Sequence, residues 1–118
     1  MFKAGDYRLK VQGMRTTLKE AEYALDIEHL RPRLAELERE QENPEVWQDM
    51  EKSTKIGKEI SALRNKINSY EKGATALSDA EDVIDLIEET EDGSLIPELD
   101  EMLKEAEKIL KICVSARS

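Results

Sequence analysis

Seven residues in the middle of this chain constrain its fold more than any others. Ile56, Ile60, Leu63, Ile67, Tyr70, Ala74 and Leu77 recur at alternating steps of four and three. That spacing puts one narrow apolar stripe along a helix, the pattern of coiled-coil packing. The reading extends over residues 50–90, where Val83, Ile84, Leu86 and Ile87 widen the apolar face. Such a helix would span about 60 Å, which demands an elongated molecule. Gly57 and Gly73 fall inside the pattern and are its weak points.

A second stripe, Leu95, Leu99, Met102, Ala106, Ile109 and Cys113, follows the turn Glu91-Asp92-Gly93-Ser94. Gly93 suits a left-handed helix end and Ser94 an N-cap. Pro97 falls in the first turn, where its missing donor costs little. The last helix is therefore expected to fold back antiparallel on the long one. A third stripe, Tyr7, Val11, Met14, Leu18, Ala21 and Leu25, predicts a first helix over residues 7–25, with Asp26 ending it and capping the next. The second helix carries Leu30, Leu34, Leu37 and Gln41. Pro32 fits only a first turn, so this helix is expected to start near Arg31 after an irregular stretch over residues 26–31.

Aromatic residues are 4% of the chain and charged residues 38%. This composition does not fill a thick core, but it suits amphipathic helices that each bury a stripe. The fold class is therefore all-α: an elongated antiparallel helical bundle with coiled-coil-like packing, one domain over residues 1–118. No segment has the spacing and length of a strand.

Asn43-Pro44-Glu45-Val46-Trp47-Gln48-Asp49 interrupts the helices and holds the only Trp. Pro44 forces Asn43 out of the α region, and Asp49 can cap a helix starting just after it. Pro44, Val46 and Trp47 read as a structural anchor, with Trp47 mostly buried and fixing the corner between the second and third helices.

Charge is uneven. Residues 81–118 carry 4 basic and 12 acidic side chains, net −8 of the chain's −9. Such a domain is not expected to bind nucleic acid directly. Glu88, Glu89, Glu91 and Asp92 read as acids facing a basic protein partner; a solvated face is the plainer reading. No calcium-loop pattern is present, and neither a metal nor another cofactor is expected. His29, the only histidine, reads as a surface or turn residue beside Asp26 and Glu28. Cys113, the only cysteine, falls on the apolar stripe and behaves as a small hydrophobe. No Ser-His or Cys-His arrangement and no glycine-rich phosphate loop supports catalysis or a small-molecule substrate. No apolar run approaches a membrane span and no signal-peptide core is evident, so the cytoplasm is the expected compartment.

Leu25-Asp26, Arg33-Leu34-x-Glu36-Leu37-Glu38, Pro44-Glu45-Val46-Trp47 and Lys58-Glu59-x-x-x-Leu63, in this order and spacing, resemble the N-terminal helical domain of the bacterial peptide chain release factor 2 family. The resemblance covers roughly residues 18–112. Residues 1–17 read as an unplaced extension or the start of the first helix, and residues 113–118 as a tail. Pro32 departs from the family pattern.

The resemblance implies an accessory domain of a class I termination factor for UAA and UGA. It also implies docking near the ribosomal GTPase-associated region, by the stalk-base protein and the release-factor GTPase. The family reads stop codons with Ser-Pro-Phe and drives hydrolysis with Gly-Gly-Gln. Neither tripeptide occurs in these 118 residues, so no release activity is expected of them alone. The alternative is a structural coiled coil or helical chaperone-like interaction module. Such a module has no reason to break its register with an aromatic turn.

Overall fold

A computed structural model describes residues 2–116. Helix α1 spans Ala4–Leu25, α2 Ile27–Gln41, α3 Pro44–Trp47, α4 Met50–Thr90 and α5 Ile96–Ser115, with a 3-10 turn over Gly93–Leu95. The described residues hold no strand. The molecule measures 64 × 24 × 19 Å, and its long axis matches the roughly 60 Å of a 41-residue helix. The elongated all-α bundle expected from the stripes is the observed architecture.

The helix α4 is the spine. α1 and α2 lie end to end and antiparallel to it. Arg8 pairs with Asp85 and Glu88 and Arg15 with Glu81, and further along Arg31 pairs with Glu71 and Glu38 with Arg64. α5 folds back along the C-terminal half of α4. One half of the molecule is therefore a three-helix body and the other a two-helix arm tipped by α3.

The body core joins Val11, Met14 and Leu18 of α1, Leu77, Ala80, Ile84 and Ile87 of α4, and Leu99, Leu103, Ala106 and Leu110 of α5. A middle cluster holds Ala21, Leu25, Ile27, Ile67 and Cys113. The arm has only Leu37, Ile60 and Leu63 fully buried, with Leu30, Leu34 and Ile56 packed at their edges. Gly73 faces side chains of both α1 and α5: a Cβ there would lie 3.0 Å from Leu18 Cδ1 and 3.6 Å from Leu110 Cδ2.

Several sequence expectations shift. α1 begins at Ala4, three residues before Tyr7, and buries Ala4. α2 begins at Ile27, not near Arg31, and carries Pro32 inside it. Asp26 makes this possible. It takes the left-handed conformation (φ 58°, ψ 47°), which short polar side chains tolerate. Its carbonyl accepts from the N–H groups of His29 and Leu30, both at 3.0 Å. An internal proline costs about 3 kcal/mol. Burying Ile27 to 2% exposure returns about 1.5–3 kcal/mol, a comparable amount. Starting the helix early is thus nearly neutral, and the core takes the isoleucine.

In α5 the buried residues are Leu99, Leu103, Ala106, Leu110 and Cys113. Leu103 and Leu110 replace the expected Met102 and Ile109, which are half-buried. α5 packs on both α4 and α1, so its apolar face is wider than a two-helix seam. At the α4 end the left-handed residue is Glu91 (φ 57°), not Gly93. Asp92, not Ser94, supplies the cap, accepting from the Ser94 N–H at 3.0 Å.

Candidate functional site

The tip of the arm is built by local rules. Pro44 holds Asn43 extended (φ −72°, ψ 123°), and the Asn43 side chain accepts from the Glu45 N–H at 3.0 Å. Asp49 caps α4 through the Lys52 N–H at 3.2 Å. Both features follow from the sequence.

The expected burial of Trp47 does not. Trp47 is 55% exposed, Pro44 is exposed, and Val46 is only half-buried. A helix of four residues turns few side chains inward, and two helices are too thin to cover an indole. Met50, the first residue of α4, is 83% exposed. The tip therefore presents apolar surface outward.

The four candidate acids lie at the opposite end, where α4 leaves the body. They are not equivalent. Glu88 Oε1 accepts from Arg8 Nη2 at 2.7 Å. Asp92 accepts from both the N–H and the hydroxyl of Ser94, and these bonds hold its carboxyl below the usual range. Glu91 is the left-handed helix end, and its side chain has no ion-pair partner among the described residues; the same is true of Glu89. The charge of this face that no internal cation offsets thus comes from Glu89, Glu91 and Asp92, because the Ser94 bonds leave the Asp92 charge in place. Phe2, Ala4, Ile87 and Ile96 line a shallow hollow beside Glu88 and Glu91.

Tyr7 joins the two sides of the same end. Its hydroxyl donates to Asp100 Oδ1 at 2.6 Å, and that carboxylate raises the Tyr7 pKa. In the sequence Tyr7 is legible only as a stripe residue. Deeper along the spine, the half-buried Tyr70 donates to Glu22 Oε2 at 3.0 Å. Burial, then the Glu22 bond, raise its pKa.

The remaining reactive side chains are engaged structurally. Cys113 is buried in the middle cluster, and burial pushes its thiol pKa up, away from the thiolate that nucleophilic chemistry requires. His29 is exposed on α2, with Nδ1 2.6 Å from Asp26 Oδ1. That carboxylate raises the His29 pKa. No third polar group completes a catalytic arrangement around it in the hydrogen bonds of the described residues. Those residues also contain no group of three or more His, Cys, Asp or Glu placed to hold a metal ion, and no helix long and apolar enough to cross a membrane.

The described residues thus form an elongated helical arm on a three-helix body, with caps at Asn43 and Asp49. The PCRF domain model matches residues 30–117, from α2 to the end of α5, and the chain belongs to that family. It is similar to peptide chain release factor 2 of three organisms. The identity is 28% over 102 residues with the Kosmotoga olearia protein, covering 86% of this chain and 27% of that one. It is 30% over 108 residues with the Nautilia profundicola protein, covering 92% and 29%. It is 33% over 95 residues with the Acidithiobacillus ferrooxidans protein, covering 80% and 24%. The chain thus spans about a quarter of the length of these relatives. The family resemblance carried by residues 25–63 is the one these matches show.

Proposed function

We propose that this chain serves translation termination as an accessory helical domain of a class I release factor acting on UAA and UGA in the cytoplasm. It docks by protein contacts near the ribosomal GTPase-associated region, with the stalk-base protein and the release-factor GTPase as partners. The 118 residues contribute docking. Codon reading and peptidyl-tRNA hydrolysis belong to Ser-Pro-Phe and Gly-Gly-Gln elements that do not occur among them.

One observation carries this reading: a release-factor domain model spans α2 to α5, and the relatives are release factor 2 proteins of which this domain is about a quarter. The acidic end supplies the contact chemistry. Glu89 and Glu91 hold charge that no internal cation neutralises, so a basic protein surface is attracted there. Charge of this kind steers encounter more than it holds a complex.

The test is a binding titration of the chain against purified stalk-base protein at two salt concentrations. Weak binding that falls as salt rises is expected, because exposed charges are screened over about 8 Å at physiological ionic strength. Replacing Glu88, Glu89 and Glu91 by Gln and Asp92 by Asn slows association more than it speeds dissociation. Binding unaffected by these substitutions refutes the acidic-face proposal. Stop-codon-dependent peptide release by the 118 residues alone refutes the accessory role.

A further inference from the structure

The net charge hides a strip of the opposite sign. Between Lys52 and Lys72, α4 carries only two carboxylates, Glu59 and Glu71. Each is taken by an arginine of α2: Arg33 Nη2 lies 3.2 Å from Glu59, and Arg31 Nη2 lies 2.5 Å from Glu71. The arginine of this segment, Arg64, is in turn paired with Glu38. Lys52, Lys55, Lys58, Lys66 and Lys72 are left with no ion-pair partner among the described residues. Four of them are exposed and Lys66 is half-buried.

These lysines are ordered. Positions 55, 58, 62, 65, 69 and 72 alternate at steps of three and four, the same period as the core stripe but turned to the outside of the helix. They read Lys, Lys, Ala, Asn, Ser, Lys. Lys52 and Lys66 flank this row on one side. Met50, Glu51, Thr54, Lys55 and Lys58 already share one open face at its start.

We propose that this outer face of α4 is a phosphate-binding strip that seats the backbone of folded RNA. Two observations favour RNA over an acidic protein. Beyond Met50 the row holds no large apolar side chain, and its lysines, serine and alanine are types depleted from protein interfaces. Lysine interleaved with Asn and Ser is instead the donor set that contacts phosphate oxygens. The acidic end does not cancel the attraction. Lys58 and Glu88 are separated on α4 by about 45 Å of helix, several times the roughly 8 Å screening length. The expectation of no nucleic-acid contact, drawn from the net charge, is thereby revised for this face. The choice of RNA rests on the translation-termination reading; the cationic strip does not.

The experiment titrates the full chain against a fluorescein-labelled RNA duplex by anisotropy. With about four phosphates neutralised, affinity is expected to fall about 100-fold between 50 and 200 mM salt. The variant Lys55→Gln, Lys58→Gln, Lys66→Gln, Lys72→Gln is expected to bind at least about ten-fold more weakly at low salt. Its salt slope should be lower by about one per lysine. Both residue types are good helix formers, so helicity and melting temperature should be unchanged. The variant Glu88→Gln, Glu89→Gln should keep wild-type RNA affinity. RNA binding unaltered by the four lysine substitutions overturns the proposal. So does displacement of the RNA by polyglutamate at equal charge concentration, which would assign the strip to an acidic protein. Because no ribosomal component enters this titration, loss of stalk-base protein binding with RNA binding intact strikes only the docking reading.

Discussion

The body and the arm are built from the same spine but are stabilised differently. In the body α4 is flanked by α1 and α5, and twelve residues form one buried cluster. In the arm α4 packs against α2, with only the short α3 at its tip, and three residues are buried. Apolar burial is the main term stabilising folded chains, so the body holds the molecule together. The arm borrows rigidity from a helix whose other half is anchored. Ion pairs do not compensate. Those of the arm, such as Arg33–Glu59 and Arg64–Glu38, have side chains more than 40% exposed, and such pairs contribute about 0–1 kcal/mol each. They set the register of α2 on α4 more than they stabilise it. The surface of α4 divides the same way, with carboxylates at its body end and lysines on its outer face along the arm.

The largest effect should come from emptying the body core. Leu99 is 0% exposed, and Leu99→Ala is expected to cost about 2–5 kcal/mol. It should lower the midpoint of the whole denaturation curve. Leu37 of the arm is 1% exposed, and Leu37→Ala removes the same atoms. That loss should appear mainly as faster proteolysis of the arm, with a smaller change in the global midpoint. Equal shifts from both variants in global melting would show that the arm and body unfold as one unit.

A smaller contrast separates two glycines of α4. A Cβ at Gly57 meets nothing within 4 Å, so Gly57→Ala should stabilise by about 1 kcal/mol. At Gly73 the same change presses on Leu18 Cδ1 at 3.0 Å. Gly73→Ala should therefore stabilise less than Gly57→Ala, or destabilise. Thermal melts of the two variants decide it, and an equal gain at both would mean that the body packs loosely around Gly73.

The smallest effect belongs to Trp47. At 55% exposure it leaves no cavity of the kind that costs about 3–5 kcal/mol when a buried Trp is truncated. Trp47→Ala should lie near the ±0.5 kcal/mol of ordinary surface changes. Native fluorescence should be only slightly blue-shifted from the unfolded chain. A strongly blue-shifted native spectrum would restore the corner-anchor role.

What the sequence revealed follows the physics of each region. The bounds of α4 were legible because Asp49 and the turn after Thr90 punctuate a long regular stripe. Cys113 was legible as a core residue because three shared positions of the α5 stripe, Leu99, Ala106 and Cys113, fall on the buried face in either register. The offset at Leu103 and Leu110 was not legible, because it depends on α1 approaching α5 from the side. Pro32 misled because local propensity opposed a helix that the burial of Ile27 compensates. Trp47 misled because a large apolar side chain in a linker suggests burial, and only the arm's thinness shows that nothing covers it. The basic strip was hidden by net charge. It emerges only when Arg31 and Arg33 of α2 are seen to occupy Glu71 and Glu59.

The central claim is that one continuous helix joins a stable body to a weakly buried arm. Native-state hydrogen exchange of α4 tests it most directly, amide by amide. The account predicts that amides around Leu77, Ile84 and Ile87 exchange only through global unfolding. Those around Ile56, Ile60 and Leu63 should exchange through a smaller opening of lower free energy, insensitive to Leu99→Ala until global stability falls below it. Uniform protection from Ile56 to Ile87, with every amide shifted equally by Leu99→Ala, would contradict it.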